Sequence, residues 1–253
     1  SAIDMAKAVA LATVAIGFGG SMTYGQTLGL TQDAPLLGNF AALRWGLTGT
    51  FIKGSIWIGF FGLFLGLGLG GKKYSLIEIL LILFVSIFFL YLGIYLLNEP
   101  FNPANEKLPF LYFSDDWYWE PDKNLNPRRE QWGGLFFALF FLFSYISIVK
   151  KDILARNMTL WGLLAGGIGF TLGQCVQAYH AWNANEIKNG ILSNIYPYIN
   201  WWNMMEITFG AIFAFIIALG LWYNKHHISP KKNNASFQLN AKAELGLLAV
   251  HIV

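Results

Sequence analysis

Charge is scarce in this sequence. Asp, Glu, Lys and Arg together make up 12% of its 253 residues, against about 25% in an ordinary soluble domain. That deficit argues against a water-covered globule. Cysteine is nearly absent: Cys175 stands alone, so neither an intrachain disulfide nor a cysteine-based metal centre can form. Lying inside an apolar run, it reads as a small buried side chain. No GxSxG, HExxH, CxxC or P-loop pattern occurs. The glycine-rich stretch GLGLGG at 66–71 ends a long apolar run just before Lys72 and Lys73. A dinucleotide-binding turn would instead join a strand to a helix, so that reading is rejected. There is no basic patch with interleaved aromatics, which excludes nucleic acid as a partner.

What the chain does contain is apolar residues, 55% of the total, gathered in runs long enough to cross a bilayer. The run 44–71, RWGLTGTFIKGSIWIGFFGLFLGLGLGG, is the most informative. Between Trp45 and Gly70 it holds a single charge, Lys53. At ~1.5 Å per helical residue such a run spans the ~30 Å hydrocarbon core. The fold class expected is all-α, a polytopic transmembrane helical bundle. Six spanning helices are read at 5–24, 45–70, 77–97, 132–149, 160–178 and 201–223, with the start of a seventh at 245–253. The chain opens on Ser1 and closes inside a fresh apolar stretch, so residues 1–253 read as one transmembrane domain, an excerpt of a longer polypeptide. No cleavable signal peptide is recognisable at its start, and the first apolar run reads as a retained helix.

The basic residues set the expected orientation. Ten fall in short loops on the amino-terminal side: Lys7, Lys72, Lys73, Lys150, Lys151, Arg156, Lys225, Lys231, Lys232 and Lys242. Six fall on the other side, four of them in one long loop. The amino terminus is therefore expected in the cytoplasm, of a bacterial type of inner membrane, with residues 224–243 as a cytoplasmic basic linker carrying His226 and His227. The glycosylation patterns at Asn157 and Asn234 fall on that same side and are discarded. Tryptophans and tyrosines such as Tyr24, Trp45, Trp132, Trp201 and Tyr223 cluster near the segment ends, as in an aromatic belt.

The long loop, 98–131, is expected to form an ordered extracytoplasmic cap. Its prolines oppose a continuous helix, and its aromatics oppose simple disorder. Within it, Asp115, Asp116, Trp117, Trp119 and Glu120 set carboxylates beside indole rings, a composition suited to a sugar or a cation. The spacing does not match an EF-hand, and a loop resting its aromatics at the headgroup level accounts for the same residues.

Lys53 and Glu206 are the formal charges well inside the spans. A charge held in lipid costs ~2.5 kcal/mol or more, so each needs a partner or a wet cavity. By helical rise both lie ~8–12 Å below the outer interface, which makes an ion pair between the second and sixth spans the expectation. Gln26 and Gln174, with Thr23 and Thr171, form polar ends to two glycine-rich helices. Asp33, Arg44 and His180 lie in the outer loops nearby. The candidate ligand-binding set is Lys53, Glu206, Gln26, Gln174, Arg44 and Asp33, and interhelical hydrogen bonding is the alternative for the glutamines. The segments GFGGSMTYGQTLGLTQD and LAGGIGFTLGQCVQAYH also echo one another, Gly25-Gln26 aligning with Gly173-Gln174, which suggests a repeat of four helices.

Three functions fit these residues. The first is a transporter- or channel-like bundle with an outward-facing polar site taking a small molecule or ion. The second is a membrane-embedded enzyme acting on a lipid-linked or extracytoplasmic substrate. The third is a non-catalytic structural subunit in which the charges fasten helices together. The lipid bilayer is the expected partner, together with further helices of the same chain or partner subunits. No cofactor, metal or catalytic residue can be named, and neither an enzyme nor a non-enzyme follows from the residues alone.

Overall fold

A computed structural model describes residues 2–19, 22, 24–121 and 125–228. The expected seventh segment, the sequence pattern at Asn234, most of the basic linker, and Thr23, Asp122 and Lys123 lie outside the described residues. Among the described residues the protein is helical, with one isolated antiparallel bridge, Asn102 with Lys107, and no strand. The principal helices are α1 (Ala2–Gly19), α2 (Tyr24–Gln32), α3 (Phe40–Leu69), α4 (Leu76–Leu97), α5 (Trp132–Ser144), α6 (Ile153–Trp182), α7 (Ala184–Asn189) and α8 (Trp201–Tyr223). A π-helical turn, Tyr145–Val149, prolongs α5.

Five helices are long and apolar enough to cross a membrane: α3, α4, the continuous Trp132–Val149, α6 and α8. These are the marks of an integral membrane protein in contact with a lipid bilayer. The first expected span differs. Its apolar stretch is shorter, Ala8–Gly17; α1 ends at Gly19 and a second short helix, α2, begins at Tyr24.

Capping residues explain where the helices outrun the apolar runs. The Asn39 side chain accepts from the backbone N–H groups of Ala41 and Ala42, so α3 starts five residues before Trp45. Asp152 accepts from Ala155 N, starting α6 seven residues before the apolar run. Ser75 and Glu78 form a reciprocal capping box on α4. Each cap supplies partners to backbone donors that a helix end leaves open.

Helix α3 is the centre of the bundle, and its partner over most of its length is the antiparallel α6. The two backbones approach so closely that side chains are excluded along the seam. A Cβ built on Gly54 would overlap the carbonyl oxygen of Gly166, and one on Gly62 that of Met158. One on Gly66 would meet Ala155 Cα, while Gly162 and Gly166 face the carbonyls of Ile58 and Gly54 in return. In lipid, where apolar side chains gain little from meeting one another, such close backbone contact is what holds helices together. A second antiparallel seam joins α4 to α5 through Gly93, Gly133 and Gly134. Between the seams, Ile56, Phe60 and Leu63 of α3 pack with Trp132, Leu135, Ala138 and Leu139 of α5.

Gly166→Leu should force α3 and α6 apart. Overpacking of this kind costs ~1–3 kcal/mol, so the variant should unfold at lower temperature in detergent than the wild type. Leu172→Ala, on an exposed face of α6, should leave the unfolding temperature unchanged.

Candidate functional site: a buried ion pair beneath the long loop

Lys53 lies on the inward face of α3 and is 1% exposed. Its partner is not Glu206. The Lys53 ammonium donates to Glu130 Oε1 at 2.6 Å and to Thr27 Oγ1 of α2 at 2.6 Å. Glu130 stands two residues before the indole that opens α5, and its side chain is completely enclosed. Four protein donors surround the carboxylate. Oε1 accepts from Lys53 and from Ser114 Oγ at 2.8 Å. Oε2 accepts from Phe113 N and Trp132 Nε1, both at 3.1 Å.

Two elements bring these groups together. Helix α5 packs beside α3 and carries Trp132. The segment 111–116 of the long loop runs into the bundle, burying Tyr112, Phe113 and Ser114. Gly49 of α3 makes room for Phe113: a Cβ there would lie 2.7 Å from Phe113 Cβ. The ring of Phe113 is held between Trp45 and Trp132, with centroids 5.0 and 5.3 Å away. Trp45 Nε1 donates to Tyr112 O at 2.7 Å, and the Tyr112 hydroxyl donates to Arg128 O at 2.9 Å. Burial, with the charge on Glu130, pushes the Tyr112 phenol above its ordinary range. Irregular backbone at this depth is tolerated because protein surrounds it.

The other candidates separate. Glu206 is exposed and accepts from Trp202 Nε1, one turn back on its own helix, at 2.8 Å. Met205 next to it faces α6, and a helix turns 100° per residue, which carries the carboxylate away from the bundle. The expected pairing of Lys53 with Glu206 is therefore corrected, and with it the polar site between those two spans. Arg44 is exposed and its Nε reaches back to Phe40 O at 3.4 Å. Gln26 belongs to the loop: its side chain donates to Asn126 O and accepts from Arg128 N, and its carbonyl accepts from Asp115 N. Gln174 is buried and donates to Thr31 Oγ1 of α2 at 2.6 Å, an interhelical hydrogen bond. His180 stacks on Trp201 with centroids 4.3 Å apart and lies 3.1 Å from the Tyr196 hydroxyl.

The acidic loop divides its residues. Asp116 starts a turn, accepting from Tyr118 N at 2.7 Å. Trp119 packs on Leu30, Leu36 and Ala42, Trp117 is half-buried, and Tyr118 faces outward. The three neighbouring aromatics thus differ in burial. Asp33, Asp115 and Glu120 converge, each offering a carboxylate oxygen within 4.8 Å of the others. Oxygen donors so grouped could hold a hard cation such as calcium.

Neither Glu130 nor Thr27 stood among the sequence candidates. The signal available in the sequence for Glu130 is its position beside the tryptophan that opens a span. With the geometry established, comparison with known proteins adds nothing to it: no family model, no curated protein and no solved structure matches the chain.

Burial pushes the Asp116 carboxyl above its ordinary range, with the charge on Glu130 adding to the rise and backbone hydrogen bonds from Tyr118 and Trp119 opposing it. An acid whose folded pKa is raised binds its proton more tightly in the native state. Stability should then fall as pH rises from the ordinary Asp value of ~3.9 through the raised one, and the penalty persists above it. Asp116→Asn keeps the acceptor for Tyr118 N–H and removes the charge. Its unfolding temperature at neutral pH should match or exceed that of the wild type, with a flatter profile on the acid side, read in a series of melts across pH.

Proposed function

We propose that this protein is a structural subunit of a membrane assembly, whose role is to hold an ordered extracytoplasmic cap rigidly on a helical bundle. One observation carries the reading: the Lys53–Glu130 pair is enclosed by partners from α2, α3, α5 and the loop, so the intramembrane charge is used up in fastening the cap. Charges kept for ligands face a cavity; these face protein. In this reading α1 completes a sixth span, and the chain is one transmembrane domain. The excess of Lys and Arg supports a cytoplasmic amino terminus and the loop 98–131 outside. A partner subunit would dock on the cap.

A transport reading draws on a different observation. Helix α1 ends at Gly19 and α2 begins at Tyr24, and transporters build their sites at interrupted helices. There Thr27 and Lys53 would line the path, and Glu130 would be the group that lets go.

The two readings diverge on three variants. Removing one partner of a buried pair costs ~3–5 kcal/mol. For a structural pair, Lys53→Met should unfold at markedly lower denaturant and expose the loop to protease. Lys53→Met with Glu130→Gln, which leaves no unpaired charge and keeps an acceptor, should recover most of the loss. Wild-type stability and a protected loop in Lys53→Met would remove the structural reading. Loss of solute or ion flux in proteoliposomes with stability intact, in either Lys53→Met or Glu130→Gln, would establish transport.

A further inference from the structure

The connection between α6 and α8 has a surface that the fold leaves unexplained. It runs from Asn183 to Asn200 through the short α7 and a series of turns. From Asn189 to Asn200, NGILSNIYPYIN, it contains no charged residue. It is nevertheless ordered by its own backbone. Ser193 N donates to Gly190 O, Ile195 N and Tyr196 N both donate to Leu192 O, and Tyr198 N donates to Ile195 O. Its base is pinned to the spans by the contact of His180 with the Tyr196 hydroxyl and by the stacking of His180 on Trp201.

This ordered turn holds its apolar side chains away from the protein. Ile191 is as exposed as an isolated residue, Tyr198 is 87% exposed, and Ile195 and Leu192 are exposed as well. No residue from 181 to 200 is buried. In water this arrangement would forgo the favourable burial of each large apolar side chain left uncovered. The exposed apolar surface does not stop at the turn. It continues through Trp202 and Met204 into Ile207 of α8, and on the α6 side through Tyr179 into Leu172, where the neighbouring surface belongs to spans in contact with lipid.

We infer that the segment Gly190–Tyr198 is an interfacial anchor that lies in the outer leaflet of the bilayer, with Ile191, Leu192 and Ile195 inserted among the upper acyl chains and Tyr198 at the headgroup level. The continuity of its apolar face with the lipid-facing sides of α6 and α8 names the occupant. The chemistry agrees. Tyrosine and tryptophan concentrate at the membrane–water boundary, where one end of the ring is apolar and the other wet. A charge-free apolar surface beside a span enters that boundary without desolvating an ion. Lys188, exposed at the foot of the turn, can extend its amine toward lipid phosphate while its stem follows the apolar surface. The anchor would fix the tilt of α6 and α8 by holding both ends of their connection at one depth.

The inference rests on the membrane reading of the five long helices, and the test separates the two. Single cysteines are placed at Ile191, Ile195 and, as a span control, Ile207, all in a Cys175→Ala background. Each is labelled with an environment-sensitive nitrobenzoxadiazole fluorophore. The labelled protein is reconstituted in nanodiscs of phosphatidylcholine and phosphatidylglycerol, with a nitroxide-bearing lipid as one quencher and iodide in the buffer as the other. The expected result is strong quenching at positions 191 and 195 by a nitroxide high on the acyl chain, weaker quenching by one near the bilayer centre, and poor access for iodide. Position 207 should be quenched by lipid nitroxide in any case; failure there would overturn the span itself. Iodide quenching without nitroxide quenching at 191 and 195 would put the turn in water and overturn the anchor. Protection from both quenchers would place a protein, a second copy or another subunit, over the turn, and would equally overturn it.

Discussion

A lysine amine inside a bilayer is tolerated only if something replaces its water. In this protein the replacement is a carboxylate delivered from outside the span. Lys53 meets Glu130, and Glu130 in turn takes donors from the loop backbone, a loop serine and the indole that opens α5. Each partner supports the others. An unpaired ammonium at this depth would be costly, and so would an unpaired carboxylate. The loop that carries Phe113 and Ser114 cannot leave without stranding both. Ordering of the loop and burial of the charge are therefore one event, and the positions of α2, α3 and α5 are tied together through it.

The rest of the architecture depends on how close helices can come. Around Lys53 the polar groups need exact partners, and these are available because α3 is held rigidly by its glycine seam with α6. Glycine serves two purposes on α3. At Gly54, Gly62 and Gly66 it admits the backbone of α6, whereas at Gly49 it admits the ring of Phe113 from the loop. Between them these positions place α3 at the centre, leaving α4 and α8 as the elements whose surfaces are mostly free for lipid.

Much of the fold was legible because lipid imposes a simple rule: backbone polar groups must be satisfied within each span, so long apolar runs become helices. The spans at α3, α4, α6 and α8 follow from that rule directly. The helix ends did not, because Asn39 and Asp152 extend α3 and α6 into polar sequence through side-chain caps that hydropathy cannot register. The site was half legible. That Lys53 needed a partner was readable from its position in an apolar run. The choice of Glu206 came from matching depth along two helices, and depth alone says nothing of which way a side chain faces around the axis.

The sequence by itself determined the class of this protein and the presence of one charge that could not stand alone. These depend on composition and local periodicity, which survive without knowledge of neighbours. Only the tertiary structure decided that the partner was Glu130, that Gln174 joins helices, and that Asp33, Asp115 and Glu120 converge. Each depends on contacts between residues far apart in the chain: Gln174 reaches α2 from α6, and Glu130, Asp115 and Glu120 arrive on a loop that turns into the bundle. The path of such a loop is set by where closely packed helices leave room, and that space exists only once the helices have met.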